Sequence, residues 1–313
     1  MRASRQINGF YIAFALLVLA NAVYSPAFFT LFNLNVVLSS SASLLLLAAG
    51  LTLVIMTGRI DISVGSTMFL SGGVFVVLQE QGMPMVLAFL AVMVLGALLG
   101  ALNGLLIAYA GLSALLTTLG MMLVVRGLGL KVIGGKQHAL PQATEALRQI
   151  DIFGVPLYVV AAVALTVLLQ WGLVSTFVGR RVVAIGCSPA SAAKLGIPIR
   201  FYVFGVYVAA GLLSALAGVV SILNLGGVQT YLGKGQEFVG IAAVVIGGVS
   251  LFGGTGSVIP GALIGVLFLV IVDNGLNLAG VSPFAFPFLT GVVILIAMYA
   301  HTFSDKRTTE GVR

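Results

Sequence analysis

Long apolar runs separated by short polar segments dominate the pattern along the chain. A helix needs roughly 20 mostly apolar residues to cross the hydrocarbon core of a bilayer. Stretches of about this kind occupy residues 10–30, 34–57, 62–79, 84–109, 113–133, 155–175, 201–224, 238–252, 258–279 and 284–302. We therefore predict an all-α, polytopic membrane protein with about ten transmembrane helices.

Two of these segments, 62–79 and 238–252, are short and contain glycines. Irregular backbone at membrane depth is tolerated only where protein or water covers its polar groups. We therefore predict broken or partly inserted helices there. Other glycines repeat at four-residue spacing, which allows close helix packing, and we expect this packing inside one chain: Gly96, Gly100 and Gly104, and again Gly261 and Gly265.

The composition agrees with this pattern. Of 313 residues, 60% are hydrophobic and only 7% are charged, whereas soluble domains carry about 25% charged residues. We predict a single transmembrane domain over residues 1–313. The 15 Lys and Arg residues are scattered over loops and form no clustered basic face, which argues against nucleic-acid binding. One cysteine and two distant histidines predict neither a disulfide framework nor a metal site.

The positions of lysine and arginine in short loops predict the orientation of the chain in the membrane. Cytoplasmic loops carry an excess of these residues. Basic residues lie near the N-terminus, in the loop 176–200 and in the tail 303–313. Ten spans place all three on one side, so both termini are predicted to be cytoplasmic. The loop 131–154 then lies outside, although it carries Lys131, Lys136 and Arg148.

Residues 2–22 also resemble a secretory signal peptide that ends in Ala20-Asn21-Ala22. Cleavage there would leave nine spans. Because apolar residues continue beyond this point, we favour an uncleaved first helix.

Sequence motifs of the common enzyme classes do not occur in the chain. It contains no G-x-x-x-x-G-K-[ST] phosphate-binding loop, no H-E-x-x-H and no G-x-S-x-G. We therefore predict that the chain is not an enzyme, binds no cofactor and does not hydrolyse ATP itself.

Polar residues inside apolar segments are the remaining candidates for function, since they are costly in hydrocarbon. Asp273, Asn274 and Asn277 lie in VDNGLNLAG, and Asn103 lies in GALNGLL. These four residues are candidates for the solute pathway. Alternatively, Asp273 is hydrated at a helix end and Asn103 forms hydrogen bonds between helices. Arg126 is interpreted as a snorkelling or interhelical anchor.

The segment GRIDISVGS, residues 58–66, places a cation, an anion and two glycines between apolar runs. We predict that the Asp61 carboxylate caps a helix that begins at Ile62 or Ser63. Arg59 either pairs with Asp61 or reaches the cytoplasmic interface.

The loop 176–200 contains a second local signal. Ser188 and Pro189 predict the start of a short helix, and Gly196 predicts its end. From the residues alone, this helix either lies on the membrane surface or presents a knob to a cytoplasmic partner.

Three stretches resemble one family, the ribose-type sugar permeases of bacterial ABC importers. GRIDISVGS is similar to the family's G-G-I-D-L-S-V-G-S, with Arg59 in place of glycine. GRRVVAIGCSPASAAKLGI is similar to its G-R-x-x-x-A-I-G-G-N-x-x-A-A-x-L-x-G-I loop, with Cys187 and Ser188 in place of Gly-Asn. AAVVIGGVSLFGGTGSVIPGALIG and DNGLNLAGVSP are similar to its last conserved block, with Asp273 where asparagine is common.

The resemblance implies a pseudo-symmetric permease bundle in the bacterial inner membrane. Its implied partners are a second permease copy (identical or a paralogue), a cytoplasmic ATPase that holds ATP and Mg²⁺, and a periplasmic solute-binding protein. In similar permeases, the loop that matches 179–197 forms a coupling helix that docks on the ATPase. The implied coupling residues are Gly179, Arg180, Gly186, Ser188, Pro189, Ala192, Ala193 and Gly196.

The transport mechanism that we expect is alternating access, and we predict that broken, glycine-containing backbone near 58–66 and 247–257 supplies its hinges. Glycine accommodates large changes in backbone angles at low steric cost. The candidate hinge residues are Gly58, Asp61, Ser63, Gly65, Gly247, Gly248, Gly253, Gly254 and Gly256. The alternative functions are an ion-coupled secondary transporter or facilitator and a receptor-like membrane scaffold.

Overall fold

Helices form almost all of the regular structure in the computed structural model, which describes residues 14–282, 285, 287–289, 291–292 and 295. The helices are α1 (Phe14–Tyr24), α2 (Leu31–Met56), α3 (Val64–Glu80), α4 (Met85–Gly104), α5 (Ala114–Val132), α6 (Gln142–Arg148), α7 (Leu157–Ser175), α8 (Phe177–Cys187), α9 (Pro189–Lys194), α10 (Ile199–Leu225), α11 (Gln236–Ile246) and α12 (Leu263–Leu278). Short π-helical segments extend α4 to Tyr109 and precede α12 from Val258.

Six helices in the described part of the chain are long and apolar enough to cross a membrane. They are Leu31–Met56, Met85–Tyr109, Ala114–Val132, Leu157–Ser175, Ile199–Leu225 and Val258–Leu278, and each coincides with a predicted span. The predicted short spans 62–79 and 238–252 are shorter apolar helices, α3 and α11. The tenth predicted span lies mostly outside the described residues, as do Arg2, Arg5 and the tail 303–313.

Contacts divide the chain into two compact units, one of Met1–Leu38 with Leu267–Arg313 and one of Ser39–Val266. In the second unit, α3 is buried over most of its length. Its buried residues are apolar side chains, glycines and the small polar residues Ser66, Thr67 and Ser71. A helix without a charged face can lie in the interior of a bundle, and this explains why the short α3 forms part of the core.

The glycine repeat of α4 packs against α10, as the four-residue spacing predicts. A Cβ added at Gly100 would lie 2.2 Å from the Tyr207 carbonyl oxygen, and one at Gly96 would lie 2.6 Å from the Gly211 carbonyl oxygen. Similarly, a Cβ at Gly265 would lie 1.8 Å from the Ala243 carbonyl oxygen. These helices therefore approach backbone to backbone inside one chain.

The loop between α5 and α7 contains small β-structures that the apolar pattern did not predict. Strand β1 (His138–Ala139) pairs antiparallel with β4 (Gly227–Val228), and β2 (Asp151–Ile152) pairs with β3 (Val155–Pro156). Two-residue strands are too short to show an alternating pattern. The β1–β4 pair joins this loop to the segment that follows α10.

An ion pair also holds this loop to the end of α3. His138 Nδ1 lies 2.9 Å from Glu80 Oε2, and His138 Nε2 donates to the Ile133 carbonyl oxygen at 2.9 Å. The pKa of His138 is raised above its usual value, mainly by the hydrogen bond to the Ile133 carbonyl. Glu80 raises this pKa further, whereas burial and the charge of Lys136 lower it. Protonated His138 therefore stabilises the attachment of the loop.

We expect the loop to be more stable at low pH than at high pH. Because the folded state raises the pKa of His138, the stabilisation is fully present below about pH 6.5 and is lost as the pH rises through the folded-state value. The pair is partly exposed, so the effect is less than about 1 kcal/mol. Hydrogen exchange of the β1–β4 amides, corrected for the intrinsic pH dependence of exchange, measures this difference. In His138→Gln the difference should disappear, and a pH effect that persists in this variant would contradict the assignment.

Candidate functional site

The loop between α7 and α10 folds into two successive short helices. Thr176 precedes α8 and its hydroxyl accepts a hydrogen bond from the Gly179 amide at 3.3 Å. Ser188 is extended and its hydroxyl accepts from the Ser191 amide at 3.2 Å, which caps α9. Gly196 follows α9 with φ of 73°. The short helix predicted from Ser188, Pro189 and Gly196 is thus confirmed, whereas α8 was not predicted.

Exposure separates the predicted coupling residues into two groups. Ala192 is buried, with 1% of its surface exposed, so its side chain holds α9 in place and does not face outward. Pro189, Ala193 and Arg180 are exposed. Leu195 is not among the predicted coupling residues, and it is 78% exposed at the end of α9.

Gly186 at the end of α8 lies in a crowded contact between three backbone segments. A Cβ added there would lie 1.9 Å from the Met56 carbonyl oxygen and 2.3 Å from the Gly254 amide nitrogen. The Gly254 amide itself donates to the Met56 carbonyl at 3.0 Å. Cys187 Sγ lies 3.4 Å from the Gly254 carbonyl oxygen. We call this contact of residues 56–58, 186–187 and 252–254 the glycine junction.

Two further predicted hinge residues complete the glycine junction. A Cβ at Gly253 would lie 2.7 Å from the Gly58 amide nitrogen and 3.1 Å from Gly186 Cα. Gly58 and Gly253 both have positive φ, 73° and 89°, a conformation that favours glycine. The structure therefore brings together three motifs that lie far apart in the sequence.

The other glycines predicted as hinges lie outside the glycine junction. Gly247 packs against Gly261, where an added Cβ would lie 2.2 Å from the carbonyl oxygen. Gly256 packs against Val249, and Gly248 has φ of 87° with no atom within 4 Å of an added Cβ.

Asp61 forms a buried polar cluster next to this junction. Its Oδ1 accepts from the Ser63 amide at 2.8 Å and from the Ser63 hydroxyl at 2.6 Å. Asn103 Nδ2 donates to the same hydroxyl at 2.9 Å, and the Tyr207 hydroxyl donates to the Ile60 carbonyl at 3.1 Å. Asp61, Ser63 and Asn103 are each 2% exposed. This cluster fixes the connection between α2 and α3 to α4 and α10.

The structure corrects the predicted start of this helix and excludes one of the two alternatives for Arg59. The helix begins at Val64, so Asp61 binds the amide of the residue that precedes the helix. Arg59 donates to the Thr57 carbonyl at 2.9 Å, and within the described residues it forms no ion pair with Asp61. Asn103 takes the interhelical role, which was one of its two predicted alternatives.

Gly65 permits a close approach of α3 to α11. A Cβ there would lie 2.3 Å from Glu237 Oε2 and 2.5 Å from the Gly233 carbonyl oxygen. Glu237 is 6% exposed and was not selected from the sequence, because a single acidic residue at a helix start also fits an ordinary exposed first turn.

Arg126 fixes the segment that precedes α11. Its guanidinium donates to the carbonyls of Leu232 and Thr230 at 2.5 and 2.7 Å and lies 4.1 Å from the centre of the Phe69 ring. The predicted anchor role of Arg126 is confirmed.

The candidate pathway residues of α12 have different environments. Asn274 and Asn33 exchange reciprocal side-chain hydrogen bonds at 2.8 and 3.0 Å, and both are buried. Asn277 is exposed and donates to the Asp273 backbone carbonyl at 3.0 Å. The half-buried Asp273 carboxylate has no hydrogen-bond or ion-pair partner among the described residues. Among the four candidates, Asp273 and Asn277 are thus the two whose side chains bind no other side chain in the described part of the chain.

Comparison with known proteins gives a consistent set of relatives. Residues 33–298 match the family described as "Branched-chain amino acid transport system / permease component". The ribose import permease protein RbsC of Escherichia coli (strain K12) is 36% identical over 299 residues, which cover 92% of this chain and 91% of RbsC.

Two other relatives match to a similar extent. The probable ABC transporter permease protein y4mJ of Sinorhizobium fredii (strain NBRC 101917 / NGR234) is 35% identical over 94% of this chain and 89% of its own. The autoinducer 2 import system permease protein LsrC of Enterobacter sp. (strain 638) is 35% identical over 93% of this chain and 85% of its own. No solved structure gives a significant match.

Proposed function

Since the chain belongs to the permease component family of branched-chain amino acid transport systems and is a multi-pass membrane protein, we propose that it carries a sugar-like solute as the permease of a binding-protein-dependent ABC importer. Ribose and autoinducer 2 are the solutes that its relatives' names indicate. The observation that carries the proposal is the exposed α9, which is linked through the glycine junction to the end of α2.

In this mechanism ATP and Mg²⁺ bind to a partner ATPase, because the chain itself has no phosphate-binding loop. Closure of the ATPase displaces α9, whose exposed surface includes Ala193 and Leu195. The displacement reaches the end of α2 and the 252–254 segment, since Gly186 contacts both without an intervening side chain. Packed backbones transmit such a shift with little loss, because they have no free volume to absorb it.

We place the solute-binding protein on the loops 131–154 and 225–237. Their connection supports this placement, because β1 pairs with β4, and Arg148 Nη2 donates at 3.5 Å to the carbonyl of Asn224 at the end of α10, directly before the second loop. A second permease copy completes the transporter. The proposed arrangement has ten spans, both termini in the cytoplasm and residence in the bacterial inner membrane.

Within this mechanism, Asp273 and Asn277 are the pathway residues that contact the solute. Asn103 and Asn274 are bound to neighbouring side chains and keep the surrounding helices in place. Solute selection is left mainly to the binding protein, as two polar side chains provide few hydrogen bonds.

The substitution Leu195→Arg tests the coupling role of α9. Leu195 is 78% exposed, so the introduced charge alters the docking surface and leaves the internal packing intact. If Leu195 is an anchor of the ATPase contact, we expect co-purification with the ATPase of the same transport system to weaken about tenfold, as for loss of a contact of roughly 1.4 kcal/mol.

The matched control is Phe153→Arg, which changes a fully exposed apolar residue (102%) in the β2–β3 hairpin. This variant should co-purify with the ATPase like the wild type. If Leu195→Arg and the wild type recover equal amounts of the ATPase, α9 does not form the proposed contact with the ATPase.

A further inference from the structure

An apolar groove of about 480 Å³ lies between α2, α7, α8 and α10, within the unit Ser39–Val266. Its volume falls in the range of roughly 300–1,000 Å³ that is usual for small-molecule sites. Apolar side chains and glycines form its wall, among them Leu168, Gly172, Phe177, Val182, Tyr202 and Gly205. An occupant must therefore be largely hydrocarbon where it lies against this wall.

The guanidinium of Arg181 contacts two residues of the groove wall, Phe177 and Tyr202. Arg181 Cζ is 5.2 Å from the Phe177 ring centre and 5.7 Å from the Tyr202 ring centre. Its Nη1 donates to the Tyr202 hydroxyl at 2.6 Å. Both aromatic residues line the groove, and no carboxylate pairs with Arg181 in the described part of the chain. The guanidinium therefore has donors that remain available to an anion.

The groove wall includes residues of a membrane-spanning helix, and the basic residue beside the groove lies just beyond the end of that helix. Leu168 and Leu173 belong to α7, one of the helices long enough to cross the membrane. Arg181 follows shortly after Ser175, where α7 ends. An occupant of this groove thus needs an apolar tail and an anionic head, joined at the level of the interface.

We propose that the groove binds an acyl chain of an anionic phospholipid whose phosphate pairs with Arg181. Guanidinium groups bind phosphate through two parallel hydrogen bonds, and basic pockets between membrane helices on the cytoplasmic side are suited to anionic headgroups. The choice of an anionic lipid rests on the proposed cytoplasmic position of 176–200. Since α8 contains Gly186 near its end, a lipid bound against α8 stabilises the segment that connects α9 to the glycine junction.

Lipid titration of the purified full-length chain in detergent tests this proposal. Dioleoylphosphatidylglycerol or dioleoylphosphatidylcholine is added, and the melting temperature and the lipid retained in native mass spectrometry are measured. We expect the phosphatidylglycerol to bind more tightly. Arg181→Gln should weaken its binding about fivefold, as expected for the loss of one basic contact near the membrane surface. The control Lys194→Gln removes an equal charge from α9 and should leave lipid binding unchanged.

A second variant tests the apolar part of the groove. A Cβ at Gly205 meets no atom within 4 Å, so Gly205→Leu places its side chain in open space and the chain should still fold. We expect this variant to retain neither phospholipid. Equal binding of the two lipids, or Arg181→Gln behaving like Lys194→Gln, would overturn the headgroup assignment.

Two other outcomes would also overturn the proposal. Stabilisation by inorganic phosphate alone, as large as that by phosphatidylglycerol, would reduce the site to a simple anion site. Dissociation of a dimer by Gly205→Leu, with no lipid retained by the wild type, would assign the groove to a second copy of the chain. Because these measurements need no ATPase, a loss of ATP-driven uptake with lipid binding intact would count against the proposed function alone.

Discussion

Replacement of Gly186 by alanine is expected to abolish uptake and to lower the melting temperature of the purified chain. The added methyl group would lie 1.9 Å from the Met56 carbonyl oxygen and 2.3 Å from the Gly254 amide nitrogen. Both are backbone atoms, so no side-chain rotation relieves the contact. Overpacking of this kind costs about 1–3 kcal/mol, and we expect a value at the upper end, with a decrease in melting temperature of roughly 6 °C or more.

Gly120→Ala is the matched control for this substitution. Gly120 lies inside α5, and a Cβ there meets no atom within 4 Å. Alanine in a helix interior is favoured over glycine by about 1 kcal/mol, so this variant should be at least as stable as the wild type and should transport normally. Wild-type melting and uptake in Gly186→Ala would show that the contact of the three segments is not tight.

Asp61→Ala is expected to destabilise the connection between α2 and α3 by roughly 2–4 kcal/mol, because two buried donors of Ser63 lose their acceptor. Asp61 is 2% exposed and accepts from the Ser63 amide and hydroxyl at 2.8 and 2.6 Å. We expect low yields of folded protein in detergent, measured by size-exclusion chromatography with a fluorescent tag, and no uptake.

Asp61→Asn separates the hydrogen bonds from the charge. Its amide oxygen can still accept from Ser63, so this variant should recover most of the folded protein. As a control, Asp151→Ala removes an exposed carboxylate that accepts from the Gly154 amide at 3.1 Å, and it should behave like the wild type. If Asp61→Asn fails as completely as Asp61→Ala, the negative charge is essential and the structural role assigned to Asp61 is wrong.

The helices were predictable because each apolar run is long and its ends carry local signals. Predicted spans such as 113–133 and 155–175 agree within two residues with Ala114–Val132 and Leu157–Ser175. The cap at Ser188 and the end at Gly196 are encoded within nine residues, and the structure contains both. Local chemistry therefore determined these elements without reference to the rest of the fold.

The glycine junction could not be predicted as a contact, although its glycines were selected. Gly58, Gly186 and Gly254 lie in three distant motifs, and nothing in their local sequence specifies that they meet. The exposure of Leu195 and the burial of Ala192 also depend on how α9 packs. Glu237 was missed because its burial results from the approach of α3 and α11 at Gly65.

Uptake into proteoliposomes tests the central claim most directly. Vesicles containing this chain and its ATPase are given the solute-binding protein with labelled ribose or autoinducer 2, with and without ATP on the side of the ATPase. We predict accumulation that requires ATP, the ATPase and the binding protein together, and that does not change when sodium or proton gradients are collapsed. Uptake by this chain alone, driven by an ion gradient and indifferent to ATP, would contradict the account and favour a secondary transporter.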